Sequence, residues 1–227
     1  MINFYENKGI KKYLTKSDNP HFEETQIKVD TRILIIGSSG SGKTNLLMNY
    51  IKLSPNTFSH IHVVFKTFEP LYELLKEKLA ESHGVTFYDD INKLPDLEKI
   101  QKEKGDQQLI VFDDQINESK KLNTKVAEYF IRGRKKNLTM FFISQSFFKI
   151  PKLIRQQMQY LCLLKMSSGK DLRLIVSDFA LGLEIDQLQE IYKNATKEQF
   201  NFSKINIDEG DANKKFSLNF KDFYSIN

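Results

Sequence analysis

Ile33-Leu34-Ile35-Ile36-Gly37-Ser38-Ser39-Gly40-Ser41-Gly42-Lys43-Thr44 is the stretch that decides how this chain folds. Four consecutive apolar residues end at a glycine. Continuous rather than alternating apolarity suits a strand covered on both faces, as in a parallel α/β sheet. Gly37-x-x-x-x-Gly42-Lys43-Thr44 then matches the phosphate-binding-loop (P-loop) pattern in full. Thr44 to Lys52 follows as a helix, with Leu46, Leu47, Tyr50 and Ile51 on one side. The glycines allow positive φ, so the backbone can curl into a nest of N–H groups. With the helix N-terminus, those donors hold phosphate charge. The backbone of Gly37, Ser38, Ser39, Gly40, Ser41 and Gly42 is therefore read as an ATP cradle. Lys43 should reach the β- and γ-phosphates, and the Thr44 hydroxyl should ligate Mg²⁺, which takes hard oxygen ligands.

Working outward, Ile61-His62-Val63-Val64-Phe65 is a second strand and Val85-Thr86-Phe87-Tyr88 a short one. Pro70 can open a helix that carries Leu71, Leu74, Leu75 and Leu79 at helical spacing. A further helix is expected over Leu94 to Lys104, and another from about Asn123 to Lys136. Leu109-Ile110-Val111-Phe112, Leu138 to Ser144 and Tyr160 to Met166 are buried strands. A short helix opens at Pro151, and two more lie near Lys170–Phe179 and Glu184–Asn194. Strand–helix alternation implies a wound, mostly parallel sheet flanked by helices. Residues 1–24 read as a partly ordered arm and 25–197 as the core. Residues 198–227 read as a small C-terminal tail, with Phe200-Asn201-Phe202 and Phe216-Ser217-Leu218-Asn219-Phe220 as a β-hairpin.

A P-loop needs an acid at the end of another buried strand. Asp113 supplies it and Asp114 follows at once. One carboxylate can enter the Mg²⁺ shell while its neighbour polarises the attacking water. The two roles can also be mixed, and two acids ending a strand are common on solvent edges. Gln145 ends the Leu138–Ser144 strand. In a parallel sheet it emerges on the edge that carries the P-loop and Asp113, within reach of a γ-phosphate or lytic water.

The 227 residues suit one core with a small appendage, able to bury roughly 70–75% of its unfolded surface. No apolar run approaches the roughly 20 residues that span a bilayer, and Met1–Lys16 has no continuous apolar core of a signal peptide. Cys162 is the sole cysteine, which excludes an intrachain disulfide and fits a reducing compartment. A formal charge of +5 is compatible with a polyanion partner without requiring one.

Gly37–Thr44, Asp113-Asp114, Arg132-Gly133-Arg134-Lys135-Lys136-Asn137 and Phe141-Phe142-Ile143-Ser144-Gln145-Ser146 resemble the genome-packaging ATPases of large DNA viruses and virophages, in the FtsK–HerA superfamily. The resemblance covers about Thr31 to Arg155, with a weaker echo in Lys66-Thr67-Phe68-Glu69-Pro70-Leu71-Tyr72. It implies a RecA/FtsK-HerA-like P-loop NTPase of the additional-strand type. It also implies a pentameric or hexameric homo-oligomeric ring that hydrolyses ATP with Mg²⁺ and drives double-stranded DNA, without sequence specificity, through a capsid vertex. The setting so implied is the virion or host cytoplasm, with no membrane partner. By the same resemblance, Lys43, Asp113, Asp114 and Gln145 are catalytic and Thr44 and Asp113 hold the metal. Arg134, with Arg132 as second choice, maps onto the arginine finger that enters a neighbour's site. Cations at a helix C-terminus also simply complement its dipole. Many relatives carry Asp-Glu where this chain has Asp113-Asp114, which weakens the catalytic assignment of Asp114.

Non-specific DNA binding needs Lys and Arg near phosphates. Lys149, Lys152 and Arg155 after Gln145, Lys135 and Lys136, and Lys120-Lys121 are candidates, whereas Phe147 and Phe148 read as core. His60-x-His62 lacks the third ligand of a zinc site. Competing functions are a non-packaging DNA pump of the same superfamily, a P-loop nucleoside or small-molecule kinase, and a non-catalytic nucleotide-gated assembly protein. The chain has no arginine-rich lid of the kind such kinases use.

Overall fold

In the computed structural model, residues 19–79, 84–100, 107–115 and 120–224 are described, those at 120–122 by backbone only. Strand β1 (Arg32–Ile36) pairs in parallel with β5 (Leu138–Ser144) on one side and β6 (Tyr160–Leu163) on the other. Beyond β5 lie β4 (Gln108–Asp113), β2 (His60–Val64) and β3 (Gly84–Tyr88), all parallel. Beyond β6 lie β7 (Ser203–Asn206), β8 (Phe216–Leu218) and β9 (Asp222–Phe223), all antiparallel. The nine-stranded order is β3-β2-β4-β5-β1-β6-β7-β8-β9. An extra strand, β5, thus separates the P-loop strand from the strand that ends in Asp113. Ile36 pairs with Ser144, and Ile143 with Asp113, so three strands end in register on one edge.

Side chains alternate across a strand, and here both faces are apolar. Leu34, Ile36, Ile110, Phe112, Met140 and Phe142 enter one buried cluster, while Ile33, Ile35, Leu109, Val111, Phe141 and Ile143 enter the other. Each such side chain contributes roughly 1.5–3 kcal/mol when fully buried. Two-sided burial is why these strands read as continuous apolar runs. Helix α1 is the short Phe22–Thr25. Helix α2 (Lys43–Leu53) covers the second cluster with Leu46, Leu47, Tyr50 and Ile51, the face its sequence predicts.

Several elements depart from expectation. Helix α3 (Pro70–Leu79) buries Tyr72 and Leu75 and leaves Leu74 exposed, so its inward face is rotated from the leucine stripe. Over the expected Leu94–Lys104 helix, only α4 (Leu97–Ile100) is seen, and 101–106 lie outside the described residues. Helix α5 (Lys120–Arg132) tightens into a 3₁₀ turn at Gly133–Lys136, where a Cβ on Gly133 would sit 2.9 Å from Met140 Sδ. Helices α6 (Lys152–Arg155), α7 (Lys170–Asp178) and α8 (Ile185–Ala195) follow as read. The tail strands start later than Phe200, whose φ of 68° is incompatible with extended backbone, and they extend the main sheet through β6. Asp211 caps α9 (Ala212–Lys215) between β7 and β8 through a 3.0 Å bond from the Asn213 N–H. The expected arm over 1–24 lies largely outside the described residues, but Asn19 donates to the Ile27 carbonyl at 2.6 Å.

Candidate functional site

The loop after β1 is tied down at its entry. The Gly37 N–H donates to the Ser144 carbonyl at 3.2 Å and the Ser38 N–H to the Lys165 carbonyl at 2.9 Å. Gly40 and Gly42 adopt φ of 73° and 98°, the left-handed region in which a Cβ is strained. Helix α2 begins when the Leu46 N–H bonds the Gly42 carbonyl at 2.9 Å. Thr44 is buried at its first turn. The Ser41 hydroxyl is buried with no hydrogen-bond partner among the described residues. Lys43 Nζ folds back to the Ser38 carbonyl at 3.0 Å. Burial lowers the pKa of this ammonium, and the charges of Asp113, Asp114 and Glu69 oppose that shift.

Asp113 is buried, and its Oδ2 accepts a 2.5 Å bond from the Tyr72 hydroxyl. Burial pushes its carboxyl up to about 6. The Tyr72 bond and Lys43 pull the other way, while Glu69 and Asp114 push it further up. Asp114 is left-handed, at φ 53°. Its N–H bonds the Ile143 carbonyl at 3.0 Å, and its Oδ2 accepts from Gln145 Nε2 at 3.0 Å. The β1–β5–β4 register therefore gathers the P-loop, Asp113, Asp114 and Gln145 at one edge. A cleft of about 470 Å³ opens there, lined by Gly40, Gly42, Lys43, Thr44, Asn45, Glu69, Leu71 and Phe200.

The arginines go elsewhere. Arg132 is exposed and holds Glu128 at 2.5 Å and Glu98 at 2.6 Å. Arg134 is exposed and lies before β5, at the opposite end of the sheet from its own P-loop. It lines a cavity of about 640 Å³ with Lys28, Asp30, Lys135, Asp208 and Glu209. That cavity is larger than the P-loop cleft, mixes both charge signs and is not lined by the P-loop. Lys149 and Lys152 are exposed, whereas Arg155 is buried against Asp178 at 3.1 Å, which removes it from the DNA-facing candidates. Phe147 is core, but Phe148 is 73% exposed. Lys136 pairs with Glu98 at 2.5 Å, and the side chains of Lys120 and Lys121 lie outside the described residues. His60 and His62 are turned to Thr86, Tyr88 and Gln108. Cys162 is buried, which pushes its thiol up to about 12.

Three residues escaped the motif-based reading: Glu69 and Phe200, which line the cleft, and Tyr72, which bonds Asp113. Glu69 and Tyr72 sit in the Lys66–Tyr72 segment, and the available signal was an acid just past a buried strand. Phe200 carried none, because its Cδ1 reaches Gly42 from the far side of the chain, 2.6 Å from where a Cβ would stand.

The family described as Poxvirus A32 protein matches residues 19–209. The DNA packaging protein of Monkeypox virus is 25% identical over 153 residues, covering 63% of this chain and 51% of that protein. The DNA packaging protein of Vaccinia virus (strain Copenhagen) is 25% identical over 154 residues, covering 63% and 56%. The chain thus spans about half the length of the curated relatives it matches. Among solved structures, the DNA-packaging ATPase from Sulfolobus Turreted Icosahedral Virus aligns with a TM-score of 0.59 at 14% identity, over 87% of this chain and 100% of that one. The genome packaging NTPase from Sulfolobus turreted icosahedral virus 2, in complex with sulfate, aligns with a TM-score of 0.63 at 13% identity, over 88% and 100%. At such identities the likeness establishes the P-loop fold.

Proposed function

This chain belongs to the Poxvirus A32 protein family, and on that premise we propose that it is an ATP-hydrolysing motor that packages double-stranded DNA into a preformed capsid. The observation that carries the reading is the convergence of Lys43, Thr44, Asp113, Asp114 and Gln145 at one sheet edge. The family and the curated relatives supply the packaging context.

The residues present fit a magnesium-bound triphosphate. Ser41 Oγ is a buried hydroxyl without a hydrogen-bond partner among the described residues, and Asp113 is a buried carboxylate that feels two further acids and a single lysine, an excess of negative charge that suits a cation. Among the described residues no cluster of three His, Cys, Asp or Glu side chains forms an all-protein metal site. Mg²⁺ at phosphates needs only one or two protein ligands. Thr44 Oγ1 and Asp113 would hold it, and when bound it neutralises charge on the β- and γ-phosphates. The N–H groups of Gly37, Ser38, Ser39, Gly40, Ser41 and Gly42 cradle the phosphates. Lys43 leaves the Ser38 carbonyl to meet the β- and γ-oxygens. Asp114 and Gln145, already bonded to each other, orient the lytic water.

Arg134 serves as the finger in a neighbour's site. It makes no ion pair with a described residue and lies too far along the sheet for its own loop, whereas Arg132 is occupied by Glu98 and Glu128. A finger stabilises charge on the transferred phosphoryl by roughly 10³–10⁵ in rate. A finger acting in trans requires a neighbouring copy, which we place in a homo-oligomeric ring of five or six copies. DNA passes through it without sequence readout, held by Lys149 and Lys152. Capsid vertex proteins are the docking partner, in the virion or host cytoplasm. No described helix is long and apolar enough to cross a membrane.

The decisive experiment is the ATPase rate with and without long duplex DNA. Stimulation by duplex, and none by nucleosides, is the expected result. Phosphate transfer to a nucleoside acceptor would replace the motor with a kinase.

A further inference from the structure

We propose that Glu69, in place of Asp114, accepts the proton of the water that attacks the γ-phosphate. The proposal rests on the hydrolytic reading above and names a residue for it.

The fold brings Glu69 to the site. Strand β2 lies beside β4 and runs parallel to it, so the segment leaving β2 emerges on the edge that carries Asp113. Glu69 closes that segment and is the acid that lines the cleft with Lys43 and Thr44, whereas Asp113, Asp114 and Gln145 stand at the strand ends outside that lining. It acts electrostatically on Lys43, Asp113 and Tyr72 together, which places its charge at the triphosphate end of the loop.

Its backbone is also fixed. Pro70 opens α3 and holds φ near −65° without needing a hydrogen-bond acceptor. The Tyr72 N–H bonds the Glu69 carbonyl at 2.9 Å, and the Tyr72 hydroxyl bonds Asp113. One helical turn therefore carries the glutamate and is tied to the proposed metal ligand.

The acids differ in what they are free to do. Asp113 is buried and takes the Tyr72 hydroxyl. Asp114 has a left-handed backbone and its Oδ2 is held by Gln145. The carboxylate of Glu69 is half-buried and makes no hydrogen bond or ion pair with a described residue. It is the acid of the three with both oxygens available, on a side chain one methylene longer than Asp114. A base must reach the proton it removes, directly or through one water.

The water oxygen forms a bond to the γ-phosphorus as the bond from that phosphorus to the β,γ-bridging oxygen breaks. The electron pair of the broken bond leaves with ADP. A water proton passes to a Glu69 carboxylate oxygen, giving inorganic phosphate, and Glu69 then returns the proton to solvent.

The test compares Glu69→Gln, Glu69→Ala and Asp114→Asn in the full chain, with single-turnover hydrolysis and binding of a fluorescent ATP analogue measured for each. Glu69→Gln should bind nucleotide within about twofold of wild type and lose hydrolysis by about 10²-fold or more. Glu69→Ala should recover part of its rate with added formate, a rescue that a purely structural role would not show. Asp114→Asn should lose less. Near-wild-type hydrolysis by Glu69→Gln, or formate without effect on a Glu69→Ala protein that still binds nucleotide, would overturn the assignment. Wild-type protein that binds ATP and never turns it over would instead overturn the hydrolytic reading itself.

Discussion

The Tyr72 hydroxyl donates a 2.5 Å hydrogen bond to Oδ2 of the buried Asp113, joining the first turn of α3 to the end of β4. Tyr72→Phe keeps the ring's packing and deletes the donor, leaving a buried carboxylate oxygen unpaired. The expected cost is about 1–3 kcal/mol in nucleotide-free stability, read by urea denaturation. Mg²⁺-dependent nucleotide binding should weaken as well, because the carboxylate is no longer aimed. An unchanged Mg²⁺ half-saturation would reduce the bond to a packing detail.

The two left-handed glycines of the loop should differ in sensitivity. A Cβ on Gly40 meets nothing within 4 Å, whereas one on Gly42 would lie 2.6 Å from Phe200 Cδ1. Gly40→Ala should cost only its backbone strain, about 1–2 kcal/mol. Gly42→Ala should add displacement of the Phe200 ring and lose nucleotide affinity by a larger factor. Calorimetric titration of both variants with an ATP analogue checks the order, and equal losses would argue against the Phe200 contact.

Arg132 and Arg134 are two residues apart, but among the described residues only Arg132 is engaged in ion pairs, with Glu98 and Glu128. Arg134→Ala doped into wild-type protein should lower ATPase activity more steeply than its mole fraction, since each copy disables a neighbour's site. Arg132→Ala should dilute linearly and change stability by about 1 kcal/mol or less, as for exposed pairs. The reverse pattern would reassign the finger.

Arg155 and Asp178 form an ion pair whose side chains are only 10% and 11% exposed. Arg155→Ala leaves Asp178 without its partner and should destabilise the fold by about 3–5 kcal/mol. Lys149→Glu with Lys152→Glu should leave the melting temperature unchanged, weaken duplex binding and flatten its salt dependence by about one unit of slope per lost contact. Fluorescence anisotropy over a salt series separates the two cases.

Lys204 is buried, with Nζ bonded to the Thr25 carbonyl at 3.3 Å and to that of Phe220. Burial lowers its pKa from 10.5 to about 8, and Cys162 opposes the shift. Between those values the unfolded chain binds more protons than the folded one, so this group adds stability as pH rises and loses it as pH falls through about 8. The stability advantage of wild type over Lys204→Met should therefore widen from pH 8 toward pH 10. Parallel denaturation curves across that range would mean the ammonium is better solvated than its burial implies.

Much of the fold is legible in the chain because local chemistry is strong there. Ile33–Ile36, Leu109–Phe112 and Leu138–Ser144 are apolar without alternation, which only two-sided burial tolerates, and the P-loop glycines stand where positive φ is needed. Elsewhere a contact distant in sequence sets the outcome. Helix α3 turns Tyr72 inward where its leucine spacing favours another face, and the partner of Tyr72 is 41 residues away. Phe148 follows a core phenylalanine and is nonetheless exposed, since β5 has ended and no described element covers the loop. Arg155 looks like its neighbour Lys152 until Asp178 closes on it.

What the sequence determined by itself is the glycine loop with its left-handed turns, the acid and amide that end two buried strands, and the parallel character of the sheet. Each follows from propensity, periodicity and glycine conformation within a few residues. Strand order was decided by tertiary structure. Inserting β5 between β1 and β4 sets Gln145 against Asp114, while the segment from β2 to α3 carries Glu69 back to the cleft lined by Lys43. It also sends Arg134 to the far end of the sheet, because hydrogen-bond register and two-sided packing couple residues that no local pattern connects.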